Sequence, residues 1–202
     1  MIISESKKFI FIHTYKVAGT SVRKCLDKYA TEPVYQMHGY NHLGVQKNSD
    51  FNKHTKAKLL KKYYSDEEWS NYFKFVFVRN PWDWQVSLYH YMLESPGHPQ
   101  HKMMKGFKDF DEYIRWRCAN EVRLQTLFSC DDDGNLLIDY VGKYENLNED
   151  FKKICDKIGI NENLPHLNKS KHEKYKALYT QETIDLVAEA FKNDIEKFNY
   201  NF

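Results

Sequence analysis

Phe9 to Leu26 reads FIFIHTYKVAGTSVRKCL, and the way this stretch changes character decides the fold. Phe9-Ile10-Phe11-Ile12 is apolar on consecutive positions, the pattern of a strand buried on both faces in a parallel sheet. Lys16-Val17-Ala18-Gly19-Thr20-Ser21 then breaks the run. Beyond it Val22, Leu26 and Tyr29 recur at helical spacing, with Thr20 and Ser21 as good N-cap residues. A helix that begins where a buried strand ends presents unpaired N–H groups and a positive dipole end to the intervening loop, which favours an anion, typically a phosphate. Gly19 allows close approach of the backbone, Thr20 and Ser21 add hydroxyls, and Lys16 adds a mobile positive charge. The order differs from G-x-x-x-x-G-K-[ST], because here the lysine precedes the only glycine.

Lys74 to Met92, KFVFVRNPWDWQVSLYHYM, repeats the architecture. Phe75-Val76-Phe77-Val78 reads as a second buried strand, Asn80 as an N-cap and Pro81 as the first helical residue. Arg79, at the carboxyl end of that strand, suits bidentate recognition of a phosphate; the plainer alternative is an arginine paired with a carboxylate. Ser87 follows about two helical turns into the helix.

Together the two segments resemble the sulfotransferases that use 3′-phosphoadenosine 5′-phosphosulfate (PAPS), in particular their carbohydrate branch. The motifs that carry the resemblance are KVAGTS and FVRNPWDWQVS. Further blocks fall in the same order: His54-Thr55-Lys56-Ala57 with Tyr72-Phe73-Lys74-Phe75, Val141 to Leu147, His166 to Ser170, and Asp194 to Phe202. The resemblance implies that Lys16, Ala18, Gly19, Thr20 and Ser21 bind the 5′-phosphosulfate and that Arg79 and Ser87 bind the 3′-phosphate. It further implies that Asn168, Lys169 and Ser170 close over the nucleotide, and that the product is 3′-phosphoadenosine 5′-phosphate (PAP). His54 matches a family histidine upstream of the second phosphate segment. It is the first candidate for the base that takes the acceptor's hydroxyl proton, since histidine titrates near neutrality. Lys16 is the second catalytic candidate, stabilising charge on the leaving oxygen. A P-loop nucleotide kinase and a non-catalytic nucleotide-binding module remain as alternatives; the kinase would need Mg²⁺ and an acidic residue ending a buried strand, where this chain has Arg79.

At 202 residues the chain suits one domain, 1–202, with a full core. The alternation of strands and helices predicts an α/β, P-loop-like three-layer fold, with a central parallel sheet flanked by helices and the ligand at the carboxyl ends of the strands. Formal net charge is only +2 and no block of like charge stands out, which excludes a nucleic-acid tail and makes any basic site local. The opening MIISESKKFIFIH has too short an apolar run for a signal peptide or a membrane span, so a soluble cytoplasmic enzyme is expected. That departs from the membrane-anchored Golgi members of the branch. Cys25, Cys118, Cys130 and Cys155 show no C-x-x-C spacing and are expected to be reduced.

Tyr35 to Asp50, polar and carrying His38 and His42, reads as a loop beside the phosphate site that contacts the acceptor. Glu94 to Gly106, rich in Pro, Gly and His, reads as a loop that lines the acceptor cleft or acts as a lid. No histidine grouping has a standard ligand spacing, so no metal is expected, and Asp131 to Asn135 is a turn without the acidic twelfth position of a calcium loop. His13 reads as a packed or cofactor-adjacent group. The remaining helices are expected at Lys53–Tyr64, Phe110–Cys118, Leu147–Ile158 stopped by Gly159, and Gln181–Phe198, with a further strand through Leu136 to Val141.

Overall fold

A computed structural model describes residues 1–31, 52–165 and 175–202. In chain order it contains β1 (Ile2–Ser4), β2 (Phe9–Ile12), α1 (Gly19–Leu26), α2 (Ala57–Lys61), α3 (Asp66–Ser70), β3 (Phe73–Val78) and α4 (Pro81–Glu94). It continues through α5 (His101–Met104), α6 (Phe110–Asn120), α7 (Thr126–Ser129), β4 (Tyr140–Lys143), α8 (Leu147–Ile158), α9 (Gln181–Ala190) and α10 (Lys192–Phe198). The chain divides into two compact units, Met1–Val78 with Gln125–Asn168, and Arg79–Leu124 with Lys169–Phe202.

The first unit holds the sheet, in strand order β1-β2-β3-β4, flanked by helices. β2, β3 and β4 run parallel, Phe11 pairing with Phe75 and Val76 with Val141. This is the parallel core expected from the two apolar runs. At its edge β1 pairs antiparallel with β2, because the residues between Ser4 and Phe9 are too few for a crossover and enough for a hairpin. All four side chains of β2 are fully buried, as are Phe75 to Val78 in β3. Phe11 stacks on Phe75 at 5.2 Å and meets Phe77 edge-on at 6.5 Å, so aromatic rings bind the two central strands together. Lys74 is buried in this strand yet satisfied, donating to the carbonyls of Trp69 (3.0 Å) and Tyr72 (2.7 Å) and pairing with Asp139 (2.8 Å).

The last strand begins at Tyr140, later than the run through Leu136 suggested; Leu136 makes only an isolated bridge to Cys130 across the Asp131–Asn135 turn. In that turn the Asp131 carboxylate accepts the amides of Asp133 and Asn135, a local cap of the kind that competes with extension of a strand. α8 buries Phe151, Ile154, Cys155 and Ile158 and ends at Gly159, whose left-handed φ of 67° is the expected C-cap. The helix expected over Lys53–Tyr64 is confined to Ala57–Lys61. Upstream of it Asn52 and Thr55 bind one another, the Thr55 hydroxyl accepting from the Asn52 amide at 2.8 Å and donating to the Asn52 carbonyl at 2.8 Å, which holds these residues in a turn.

In the second unit α4 starts as expected, with Pro81 at its first position and the Asn80 side chain accepting from the Trp82 amide at 3.1 Å. The Asn80 amide also donates to the Asn201 carbonyl at 2.7 Å, and Trp82 donates through its indole to the Ile184 carbonyl at 3.1 Å. The final helix is two. Phe191, fully buried edge-on to Trp84, leaves helical geometry at φ −108° and ψ 19°, closing α9 and opening α10.

Candidate functional site

β2 delivers the chain into a strained loop. Lys16 and Ala18 take left-handed φ values of 62° and 57°, although neither is glycine. The N-cap of α1 is Ala18, two residues before Thr20 and three before Ser21, and its carbonyl accepts from the amides of Ser21 (2.9 Å) and Val22 (3.2 Å). The hydroxyls are thereby inside the first helical turn, Ser21 buried and Thr20 exposed. Val17 is fully buried and pins the loop to the core, while Lys16 is half-buried. Strain of this kind is characteristic of ligand-holding loops.

Gly19 also meets a neighbour that its position in the sequence did not suggest. A Cβ added there would lie 1.8 Å from Nε2 of His13, so the imidazole fills the space above the glycine. Gly19 does not have a positive φ; close approach of this ring is what excludes a side chain.

His54 stands against the same ring. Its Nδ1 is 2.8 Å from the His13 carbonyl, its ring is 4.7 Å from that of His13 and 4.8 Å, edge-on, from that of Tyr15. Its amide donates to the Asn52 side chain at 2.7 Å, so main chain and ring are both fixed. Burial holds both histidines neutral: it lowers His54 to about 4, against a smaller opposing effect of the His13 carbonyl, and His13 to about 2. Just beyond β2, Nδ1 of His13 and Oγ1 of Thr14 are buried with no hydrogen-bond partner among the described residues. Thr14 and Tyr15 carried no motif, and only their place between strand and loop could have singled them out.

Of the segment expected to bind a second phosphate, β3 lies in the first unit and the residues from Arg79 on in the second. Arg79 is buried and its Nε donates to the Asp83 carboxylate at 2.7 Å, one helical turn ahead. Asp83 therefore orients the guanidinium through Nε, leaving the geometry of a planar fork fixed by the helix that follows it. Ser87 is buried further along α4. His38, His42, Asn168, Lys169 and Ser170 lie outside the described residues, as does the whole of the Tyr35–Asp50 stretch expected to contact the acceptor. Among the described residues no group of three or more His, Cys, Asp or Glu side chains could hold a metal ion.

A sequence profile of the sulfotransferase family matches residues 1–201, spanning both units and every segment described above. The chain belongs to the sulfotransferase family. It is also similar to an uncharacterized protein of Archaeoglobus fulgidus, 24% identical over 132 residues, which covers 60% of this chain and 98% of that protein. Among solved structures it is similar to a sulfotransferase from Alicyclobacillus acidocaldarius, with a TM-score of 0.47 and 11% identity, over 96% of each chain.

Proposed function

We propose that this sulfotransferase moves a sulfuryl group from PAPS to a hydroxyl, that of a carbohydrate, and that residues 1–202 act in this as one domain. The observation that carries the reading is the left-handed loop from Lys16 to Ala18, feeding directly into the N-terminus of α1, in a chain of this family. The Thr14 hydroxyl beside that loop, without a partner among the described residues, fits a site that receives a polar group.

When bound, the donor supplies an activated sulfuryl group, whose bond to the 5′-phosphate breaks as the acceptor oxygen bonds to sulfur. Ala18, Gly19, Thr20 and Ser21 hold the 5′-phosphate through loop and helix N-terminal groups. Lys16 stabilises the charge that develops on the leaving oxygen. His54 takes the acceptor's proton at Nε2, the nitrogen that does not face the His13 carbonyl. Arg79, oriented by Asp83, binds the 3′-phosphate with Ser87. Asn168, Lys169 and Ser170 close over the nucleotide, and His38 and His42 contact the acceptor. We assign the enzyme to the cytoplasm, in keeping with four free cysteines.

The test is calorimetric titration with PAP and, separately, with ATP·Mg²⁺, on the wild type and on Arg79→Ala. PAP should bind without metal, and Arg79→Ala should weaken it about tenfold or more, the loss of a charge-assisted contact of ~1.5–3 kcal/mol. Preference for ATP·Mg²⁺, or indifference to the substitution, would move the assignment to phosphoryl transfer or to a different anion site.

A further inference from the structure

Resting on the reading of His54 as the base, we infer that His13 is a positioning residue: its carbonyl sets the tautomer of His54, and its ring, wedged between His54 and Gly19, ties the base to the phosphate loop. A carbonyl oxygen only accepts. Nδ1 of His54, at 2.8 Å from it, must therefore carry a hydrogen, and in the neutral ring the lone pair is then on Nε2. A free histidine in water exchanges between tautomers, so this bond pre-selects the form able to take a proton from a hydroxyl.

The ring of His13 performs the second task. It stacks on Phe11 at 5.6 Å, faces His54 at 4.7 Å and leaves no room for a Cβ on Gly19. Its Nδ1 is buried without a hydrogen-bond partner among the described residues, and packing holds the ring on three sides. The first residue of α1 and the imidazole of the base thus share one intervening ring, and anything that displaces it from Gly19 moves it toward His54. The glycine of KVAGTS then serves the base's positioning ring as well as the donor.

The experiment compares wild type, Gly19→Ala, His13→Ala and the Gly19→Ala/His13→Ala pair, by ¹⁵N NMR of the His54 side chain and by PAP titration. In the wild type and in His13→Ala, whose carbonyl remains, His54 should show one tautomer, protonated on Nδ1, but with broader lines in His13→Ala because the ring packed against the imidazole is gone; lines as sharp as in the wild type would overturn the ring's part in the proposal. Gly19→Ala, with its Cβ driven into the imidazole, should give an averaged tautomer pattern or fail to fold. The pair, relieved of the clash, should regain the fold and the single Nδ1–H pattern. An unchanged His54 spectrum in Gly19→Ala, or a pair no better than Gly19→Ala, would overturn the proposal. So would loss of PAP binding in Gly19→Ala that removal of His13 does not restore, since the glycine would then serve the ligand alone. A wild type that binds no PAP would sink the functional reading, while the tautomer comparison would still decide the role of His13.

Discussion

Ala18 occupies a backbone conformation, φ 57° and ψ 22°, that costs an L-residue about 1–2 kcal/mol and glycine far less. The sequence places alanine there, immediately before a real glycine whose own φ is not positive. Ala18→Gly should therefore raise the stability by about 0.5–1 kcal/mol, the relief of strain exceeding the added freedom of the unfolded chain. Urea denaturation measures this; an unchanged or lower midpoint would mean that Val17 burial and the helix start enforce the conformation with no residual cost. Lys16 is strained in the same way, but there the charge is part of the proposed chemistry and glycine would remove both.

Among the elements, α4 has the most dependent start. Asn80 caps it by accepting from Trp82 and at the same time donates to Asn201, so one side chain fastens the helix N-terminus to the end of the chain within the same unit. Phe202 packs edge-on against Trp82 at 5.7 Å and Tyr179 donates to the Trp82 carbonyl at 2.9 Å, which closes the cluster. Asn80→Ala should cost about 1–2 kcal/mol through the lost cap. Hydrogen exchange of the Trp82 to Trp84 amides should accelerate with it; protection equal to the wild type would show that Pro81 and the aromatic packing hold the turn unaided. The same helix start carries Arg79 and Asp83, so the capping residue also bears on the proposed phosphate contact.

For the molecule as a whole, the buried histidines set a pH dependence. His13 and His54 are held below the ordinary histidine value of 6.5, so the unfolded chain takes up protons that the folded chain refuses. Because the folded values are depressed, the penalty is absent above about pH 6.5 and grows as the pH falls from there toward the folded values. Asp150 adds an acid limb lower down. Its own burial raises it, but the Lys143 amide, Lys153 and the Tyr140 hydroxyl together hold it below the ordinary carboxylate value, so its contribution is lost as the pH falls through that range. The melting temperature should drop between about pH 6.5 and pH 5, and a His13→Phe variant should flatten that drop. A profile independent of pH across this window would mean that neither ring is kept neutral by the fold.

The two buried strands, the loop that leads from β2 into α1, the N-cap at Asn80 and the stop at Gly159 were legible in the sequence, because each is a local matter of apolar periodicity, capping chemistry or backbone freedom read within a few residues. The antiparallel edge strand was not, since a three-residue strand has too little pattern to separate from a turn. Nor was the break at Phe191, where an unbroken apolar stripe is interrupted to bury one ring against Trp84. Sequence alone determined the family-bearing motifs and the residue types able to bind phosphate and move a proton. Only the tertiary structure decided that the space above Gly19 belongs to His13 and that His54 faces the carbonyl of a residue 41 positions away. Contacts of that kind arise from packing between segments distant along the chain, and no local pattern encodes them.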